Sequence, residues 1–250
     1  MQPAPPTYPA WTRLTHALNG LALLTLICSG LQIFDANPAL YASDTSDPDH
    51  LVLSLPAPVA QNADGSVSLE MGLLGRQVAV PANAPQTVPA PLALGGWLEG
   101  GRRLHFTAAL FFMVNGLLYL LAMALGKRKR LVWPARADLK QILPSLRNHL
   151  RIPPQLHGPG GGLNPMQKTA YFAVPVLLAP FVVATGLALS PQWDAIFPFW
   201  TDLFGGRQFA RTWHFAAMLA LVGFLFMHVT MVFLSGRKTI WRMITGKVQP

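Results

Sequence analysis

Four histidines lie within or at the edge of the apolar stretches of this 250-residue chain: His16, His105, His214 and His228. The last two stand 14 residues apart on one apolar run. An ionisable side chain in a lipid-embedded helix is costly, so it faces the interior of a bundle and has a task there. Over 14 residues an α-helix advances ~21 Å and turns ~1400°, four turns less about 40°. Both imidazoles therefore point to nearly the same side, one near each membrane face. Imidazole is a metal ligand, and this spacing suits two haems stacked across a bilayer, each taking one ligand from this helix.

The elements that must position these rings are legible in the composition. The chain is 52% hydrophobic and only 12% charged, against about 25% charged in soluble domains. Apolar runs cover about 14–34, 104–126, 169–190 and 212–235, each close to the ~20 residues that cross a hydrocarbon core. The third holds Pro175 and Pro180 and is expected to kink. These runs predict an all-α membrane protein, a four-helix up-down bundle whose core houses cofactors.

The net charge of +9 is partitioned. With both termini and the segment 127–168 on one side, that side carries fourteen Lys/Arg and one acid, Asp138; the other carries five Lys/Arg and nine acids. This positive-inside pattern predicts N-in, C-in topology. The run Lys127–Arg130 is then a topology signal, and nucleic-acid binding is not expected.

Direction along each span sets histidine depth. Span 1 begins inside and spans 2 and 4 begin outside, which pairs His105 with His214 near the external face and His16 with His228 near the cytoplasmic face. Span 3 has no histidine and is expected to pack as a wall. An arginine precedes three of the histidines by three residues: Arg13, Arg102 and Arg211. Positions i and i+3 share a helix face, so these guanidinium groups are either ordinary interfacial arginines or partners for haem propionates. The spans contain no acidic ligand and no His-Glu-x-x-His, so catalytic zinc is not expected. His50, His149 and His157 fall in connections and read as surface residues. The lone cysteine, Cys28, excludes an internal disulfide, a four-thiolate cluster and a Cys-x-x-Cys-His attachment, so any haem is non-covalent and b-type. The first run lacks a small-residue cleavage site at its end and reads as a retained helix.

Between the spans, residues 1–12 form a Pro-rich lead. Residues 35–102 form a long external loop in which Ala63-Asp64-Gly65-Ser66 reads as a hairpin turn. This loop is either a passive cap or a docking surface for an external partner. The cytoplasmic loop 127–168 holds a surface helix around 138–149 and a glycine tract, Gly158–Gly162. The external link 191–210 carries Trp193, Phe197 and Trp200, which read as interface anchors. Span 4 is expected to end at Gly236.

Several stretches resemble the b-type cytochromes of the bacterial cytochrome b561/nickel-hydrogenase type, including the membrane subunits of formate dehydrogenase and thiosulfate reductase. They are Gly101-Arg102-Arg103-Leu104-His105-Phe106, Asn164-Pro165-Met166-Gln167-Lys168, Thr185-Gly186-Leu187-Ala188-Leu189-Ser190-Pro191 and Phe204 through His214. The resemblance covers roughly 13–34 and 102–247 and is closest to thiosulfate-reductase-like cytochrome b subunits. Ala17 departs from it, standing where tryptophan is common, whereas Arg13, His16 and Asn19 match. The resemblance implies two b haems, a multi-pass place in the bacterial inner membrane, and quinone chemistry near the cytoplasmic haem. Asn164 and Gln167 become candidates for quinone carbonyl contacts, with His228 close by. Read from the residues alone, Asn164 is equally a helix N-cap with Gln167 completing a capping box. The chain carries no pterin, flavin or iron–sulfur motif. A separate periplasmic oxidoreductase subunit, a molybdenum enzyme as in the resembled complexes, is therefore expected to do the substrate chemistry. The rival readings are a haem-free transporter or pH sensor using a histidine relay, and a membrane anchor whose haem is only structural.

Overall fold

A computed structural model describes residues 9–61, 67–80, 88–89, 92, 96–125, 134–149, 165–235 and 237–247. It is mostly helical. Four helices are long and apolar enough to cross a membrane: span 1 (Ala10–Asp35), span 2 (Leu98–Leu125), span 3 (Pro165–Ala188) and span 4 (Arg207–Leu234). Each overlaps one of the apolar runs and begins four to six residues before it; span 1 ends one residue beyond its run, and spans 2, 3 and 4 end one or two residues short of theirs. Large apolar side chains stand outward along them, with Leu21 65%, Phe111 68% and Phe226 74% exposed. Water would not tolerate so much continuous apolar surface on four helices; a hydrocarbon solvent does.

Span 3 bends its hydrogen-bond pattern where its prolines require it. Pro175 has no N–H to donate, and the helix runs as a π-turn over Val174–Leu178, with the Ala179 N–H bonding back to the Val174 carbonyl. A π-turn thus falls at the first of the two prolines expected to kink this span. The span stops at Ser190, whose hydroxyl accepts from the Trp193 N–H and caps a short helix, Pro191–Ile196. Proline at N1 and Asp194 in the first turn favour that start.

The chain divides into two compact units. One comprises Ala22–Phe111 and Phe181–Leu219. Its long connection is not a simple loop: it folds as a four-stranded antiparallel meander, β1 (Ala39–Tyr41), β2 (Leu51–Gln61), β3 (Val67–Leu73) and β4 (Arg76–Val80), in chain order. β2 and β3 pair out to Gln61↔Val67, so they flank the expected turn at Ala63–Ser66, which itself lies outside the described residues. β2 contains Pro56 and Pro58, which cannot donate to a ladder, and its register slips at both places. β3 and β4 join through Leu74 and Gly75, both at positive φ, the geometry of a type I′ turn.

The meander's first strand is tied to the start of span 4. The Thr212 hydroxyl donates to the Tyr41 carbonyl at 2.7 Å. The Arg211 guanidinium donates to the Asn37 carbonyl and lies over the Phe34 ring at 5.8 Å. Gly206, at φ 90°, precedes span 4 where an added Cβ would fall 2.2 Å from Asp44 Cβ. The core of this unit holds Phe34, Leu40, Leu51, Ala108, Ala188 and Ala210, together with fully buried Ser29 and Thr185. In the link, the Trp200 indole N–H donates to the Ala184 carbonyl at 3.0 Å, and Trp193 stacks near Phe197 at 4.8 Å. These contacts fasten the link.

The other unit comprises Met1–Leu21, Phe112–Pro180 and Ala220–Pro250. Asn115 Nδ2 of span 2 donates to the Thr15 carbonyl of span 1 at 2.9 Å. The expected surface helix is present as two pieces, Arg136–Lys140 and Ile142–His149. The first is pinned to the start of span 3 by Lys168 and Asp138 at 2.7 Å. The Lys168 ammonium, helped by the Ala135 N–H, holds the Asp138 carboxyl below its ordinary range. A basic amphipathic helix, Arg237–Thr245, follows span 4. The basic run Lys127–Arg130, the Gly158–Gly162 tract, Asn164, His157 and Gly236 lie outside the described residues, as does the side chain of His149.

Candidate haem-ligating site

The four histidines meet as two pairs, one within each unit. His105 of span 2 and His214 of span 4 have ring centroids 6.3 Å apart with planes at 69°. His16 of span 1 and His228 of span 4 have centroids 6.0 Å apart with planes at 49°. A metal–imidazole bond is about 2.0–2.1 Å, and the ring centre lies about 1.1 Å beyond the nitrogen. Two imidazoles on opposite sides of one metal ion therefore place their centroids roughly 6.3 Å apart. Both pairs stand close to that separation, so each could give one nitrogen from each ring to a single metal ion.

Hydrogen bonding settles which nitrogen of the first pair is available. His214 Nδ1 lies 3.0 Å from the Val182 carbonyl, which can only accept, so Nδ1 carries the proton. The Thr185 hydroxyl oxygen is 3.1 Å from the same nitrogen and sends its own hydrogen back to the Phe181 or Val182 carbonyl, each at 3.0 Å. His105 Nδ1 lies 3.0 Å from Ser29 Oγ. The Ser29 hydrogen is committed to the Thr25 carbonyl at 2.6 Å, so the hydroxyl oxygen faces the ring as an acceptor and His105 Nδ1 is again the donor. Both rings are Nδ1–H tautomers with a bare lone pair on Nε2. Two bare acceptors cannot satisfy each other; an electron-pair acceptor such as a metal ion satisfies both.

The second pair is held by rings. Phe224 stacks on His228 at 5.7 Å and 25°, and Tyr171 meets it edge-on at 6.3 Å. Among the described residues neither His16 nor His228 makes a hydrogen bond. Gly20 lies one turn after His16 on the same helix face, and Gly116 is half-buried on span 2 of the same unit. A Cβ added at either would meet no protein atom within 4 Å. These open glycine faces in one unit, and two imidazole couples at a metal-bridging separation, are features that a b haem would use.

The arginines differ in their commitments. Arg13 Nη1 donates to the Ile244 carbonyl at 2.8 Å, capping the C-terminal helix, while its Nε is buried without a partner. Arg211 is engaged by Asn37 and Phe34. Arg102 is exposed and makes no hydrogen bond or ion pair among the described residues. The propionate reading thus has a spare buried donor at Arg13 and, among the described residues, an unpaired guanidinium at Arg102, whereas Arg211 also anchors the segment between spans 1 and 2. Gln167 lies in the first turn of span 3, one residue before Lys168. His50 is a surface residue paired with Asp47 at 2.6 Å. Among the described residues no group of three or more His, Cys, Asp or Glu gathers that could hold a free metal ion.

Span 3 does more than form a wall, since it supplies the Val182 carbonyl and the Thr185 hydroxyl to His214. Sequence reasoning missed Ser29 and Thr185. Their available signal is a hydroxyl residue followed by glycine in each of two apolar runs, Ser29-Gly30 and Thr185-Gly186.

Comparison with known proteins identifies the family. Residues 7–246 match the family described as prokaryotic cytochrome b561. A putative protein-methionine-sulfoxide reductase subunit, YedZ1, from Azospira oryzae is 30% identical over 244 residues, covering 96% of each chain. No solved structure matches.

Proposed function

The chain belongs to the prokaryotic cytochrome b561 family, and from that membership we propose that it carries electrons between the membrane quinone pool and a periplasmic oxidoreductase through two b haems. One haem is held by His105 and His214, the other by His16 and His228. The observation that carries this reading is the pair of imidazole couples at 6.3 and 6.0 Å. Bound there, an iron porphyrin supplies a one-electron carrier that needs no protein-bound proton.

The chain's own residues do the rest. His214 and His228 share span 4, so one helix contributes to both sites. Ser29, Thr185 and the Val182 carbonyl hold the Nδ1 protons of His105 and His214, which keeps Nε2 available. Phe224 and Tyr171 fix the plane of His228. Arg13 and Arg102 offer guanidinium donors to propionates at the ends of the spans. Gln167, in the first turn of span 3, and Asn164, three residues earlier in sequence, are the candidate amide contacts for a quinone carbonyl. Lys168, next to Gln167 in sequence, pairs with Asp138, and through this pair a quinone's protons can exchange with the basic face. The charge partition supports a multi-pass place in the bacterial inner membrane with that basic face inward.

The catalytic partner acts outside this polypeptide. The name of the Azospira relative points to protein-methionine-sulfoxide reduction as the partner's chemistry, and the resemblance to formate dehydrogenase and thiosulfate reductase subunits points to a molybdenum centre there. The segment 35–102 is its docking surface. The test is anaerobic addition of a quinol to membranes containing this chain, read in the haem α-band. Rapid reduction is expected, slowed by Gln167→Leu. Haems that dithionite reduces and quinol does not would refute the quinone link.

A further inference from the structure

The two clamps on His105 and His214 follow one plan on two different spans. In each a hydroxyl residue precedes a glycine. In each the hydroxyl hydrogen returns to a carbonyl of its own helix, and the oxygen faces a histidine Nδ1 from another span, at 3.0 Å for Ser29 and 3.1 Å for Thr185. In each the glycine lies beneath that ring's Cε1, at 3.4 Å for Gly30 and 3.1 Å for Gly186 measured from an added Cβ. Ser29 and Thr185 are the two polar side chains with no exposed surface among the described residues. Packing alone does not need a hydroxyl at either place: alanine or valine would fill it without burying a polar group.

We propose that Ser29 and Thr185 are paired positioning residues that lower the reduction potential of the haem held by His105 and His214 and fix the angle between its ligand planes. The inference rests on the ligand assignment made above. A hydrogen bond accepted from Nδ1–H makes the imidazole a stronger electron donor, which favours the more highly charged oxidised iron. The bond that each hydroxyl makes to a carbonyl polarises its oxygen into a better acceptor, so the effect is cooperative. Two such chains act on one iron, from opposite ligands.

The experiment is a redox titration of purified haem-loaded protein, read by visible absorbance, with low-spin electron paramagnetic resonance on the same samples. Ser29→Ala and Thr185→Val are expected to keep both haems and to move one midpoint upward. The oxidised-to-reduced ratio of that haem at fixed ambient potential should fall several-fold, where a tenfold change corresponds to about 59 mV. Its resonance envelope should move too, while the other haem keeps its midpoint. Thr185→Ser, which retains the hydroxyl, restores the original potential. Ser29→Ala removes one oxygen and adds nothing, so its midpoint decides the matter even where Thr185→Val loses haem. Unchanged midpoints and resonances at full haem content refute the hydroxyl role. A His105→Ala variant that keeps both low-spin haems refutes the ligand assignment instead, and the two failures are told apart by that control.

Discussion

Gly186→Ala tests the packing of the His105–His214 site at a single methyl. The added Cβ falls 3.1 Å from His214 Cε1 and 3.5 Å from Nδ1. Ordinary carbon contacts begin near 3.5 Å, so the ring must retreat by roughly 0.4 Å. That retreat works against the bonds from Nδ1 to Val182 and Thr185 at 3.0 and 3.1 Å. Overpacking of this kind costs about 1–3 kcal/mol, and replacing a helical glycine by alanine returns about 0.5–1 kcal/mol. The net expectation is a loss of up to about 2 kcal/mol at the haem site. Gly30→Ala is the matched control, because its Cβ meets His105 Cε1 at 3.4 Å. There the contact is nearly ordinary, and the expected net change is between zero and a gain of about 1 kcal/mol. The assay is thermal loss of Soret absorbance in detergent, run on both variants beside the unsubstituted protein. Gly186→Ala should lose haem at a lower temperature, and Gly30→Ala at the same or a higher one. Equal melting in all three, or the reverse order, would refute the claim that these glycines seat the ligand rings.

His228→Ala should remove one low-spin haem and quinol-linked reduction while leaving most of the other haem's signal, read in a reduced-minus-oxidised spectrum; two intact haems would contradict the pairing. Gly206→Ala meets both a positive φ and the backbone of Asp44, so it should destabilise the attachment of the segment between spans 1 and 2 by about 1 kcal/mol or more, seen as faster proteolysis between residues 35 and 97. The Asp138 carboxyl is held low by Lys168, so its pair contributes fully above the ordinary carboxylate pKa of about 3.9 and is lost as pH falls through the lowered value. Asp138→Asn should therefore weaken protection of the helix Arg136–Lys140 at neutral pH, and the difference from the unsubstituted protein should vanish in strong acid, measured by hydrogen exchange.

The spans were legible because about 20 apolar residues in a row have few other physical uses. The histidine partners followed from chain direction alone: a helix entering from one face sets the depth of each residue on it. The sheet within 35–102 was largely hidden. Pro56 and Pro58 interrupt the alternation that marks a strand, and only the Ala63–Ser66 turn signal survived. Ser29 and Thr185 were hidden for another reason. A hydroxyl in an apolar helix normally bonds back to its own carbonyls, and these do, at Thr25 and Phe181. That their second lone pair faces a histidine depends on which helices are neighbours. Arg211 shows the same limit: its i+3 spacing to His214 is plain, but its bond to Asn37 depends on the fold of a distant segment.

Haem content per polypeptide, determined as the pyridine haemochromogen against quantitative amino-acid analysis of protein from haem-replete cells, addresses the central claim most directly. Two non-covalent b haems per chain are expected. A folded protein that carries none, or only one, would contradict it.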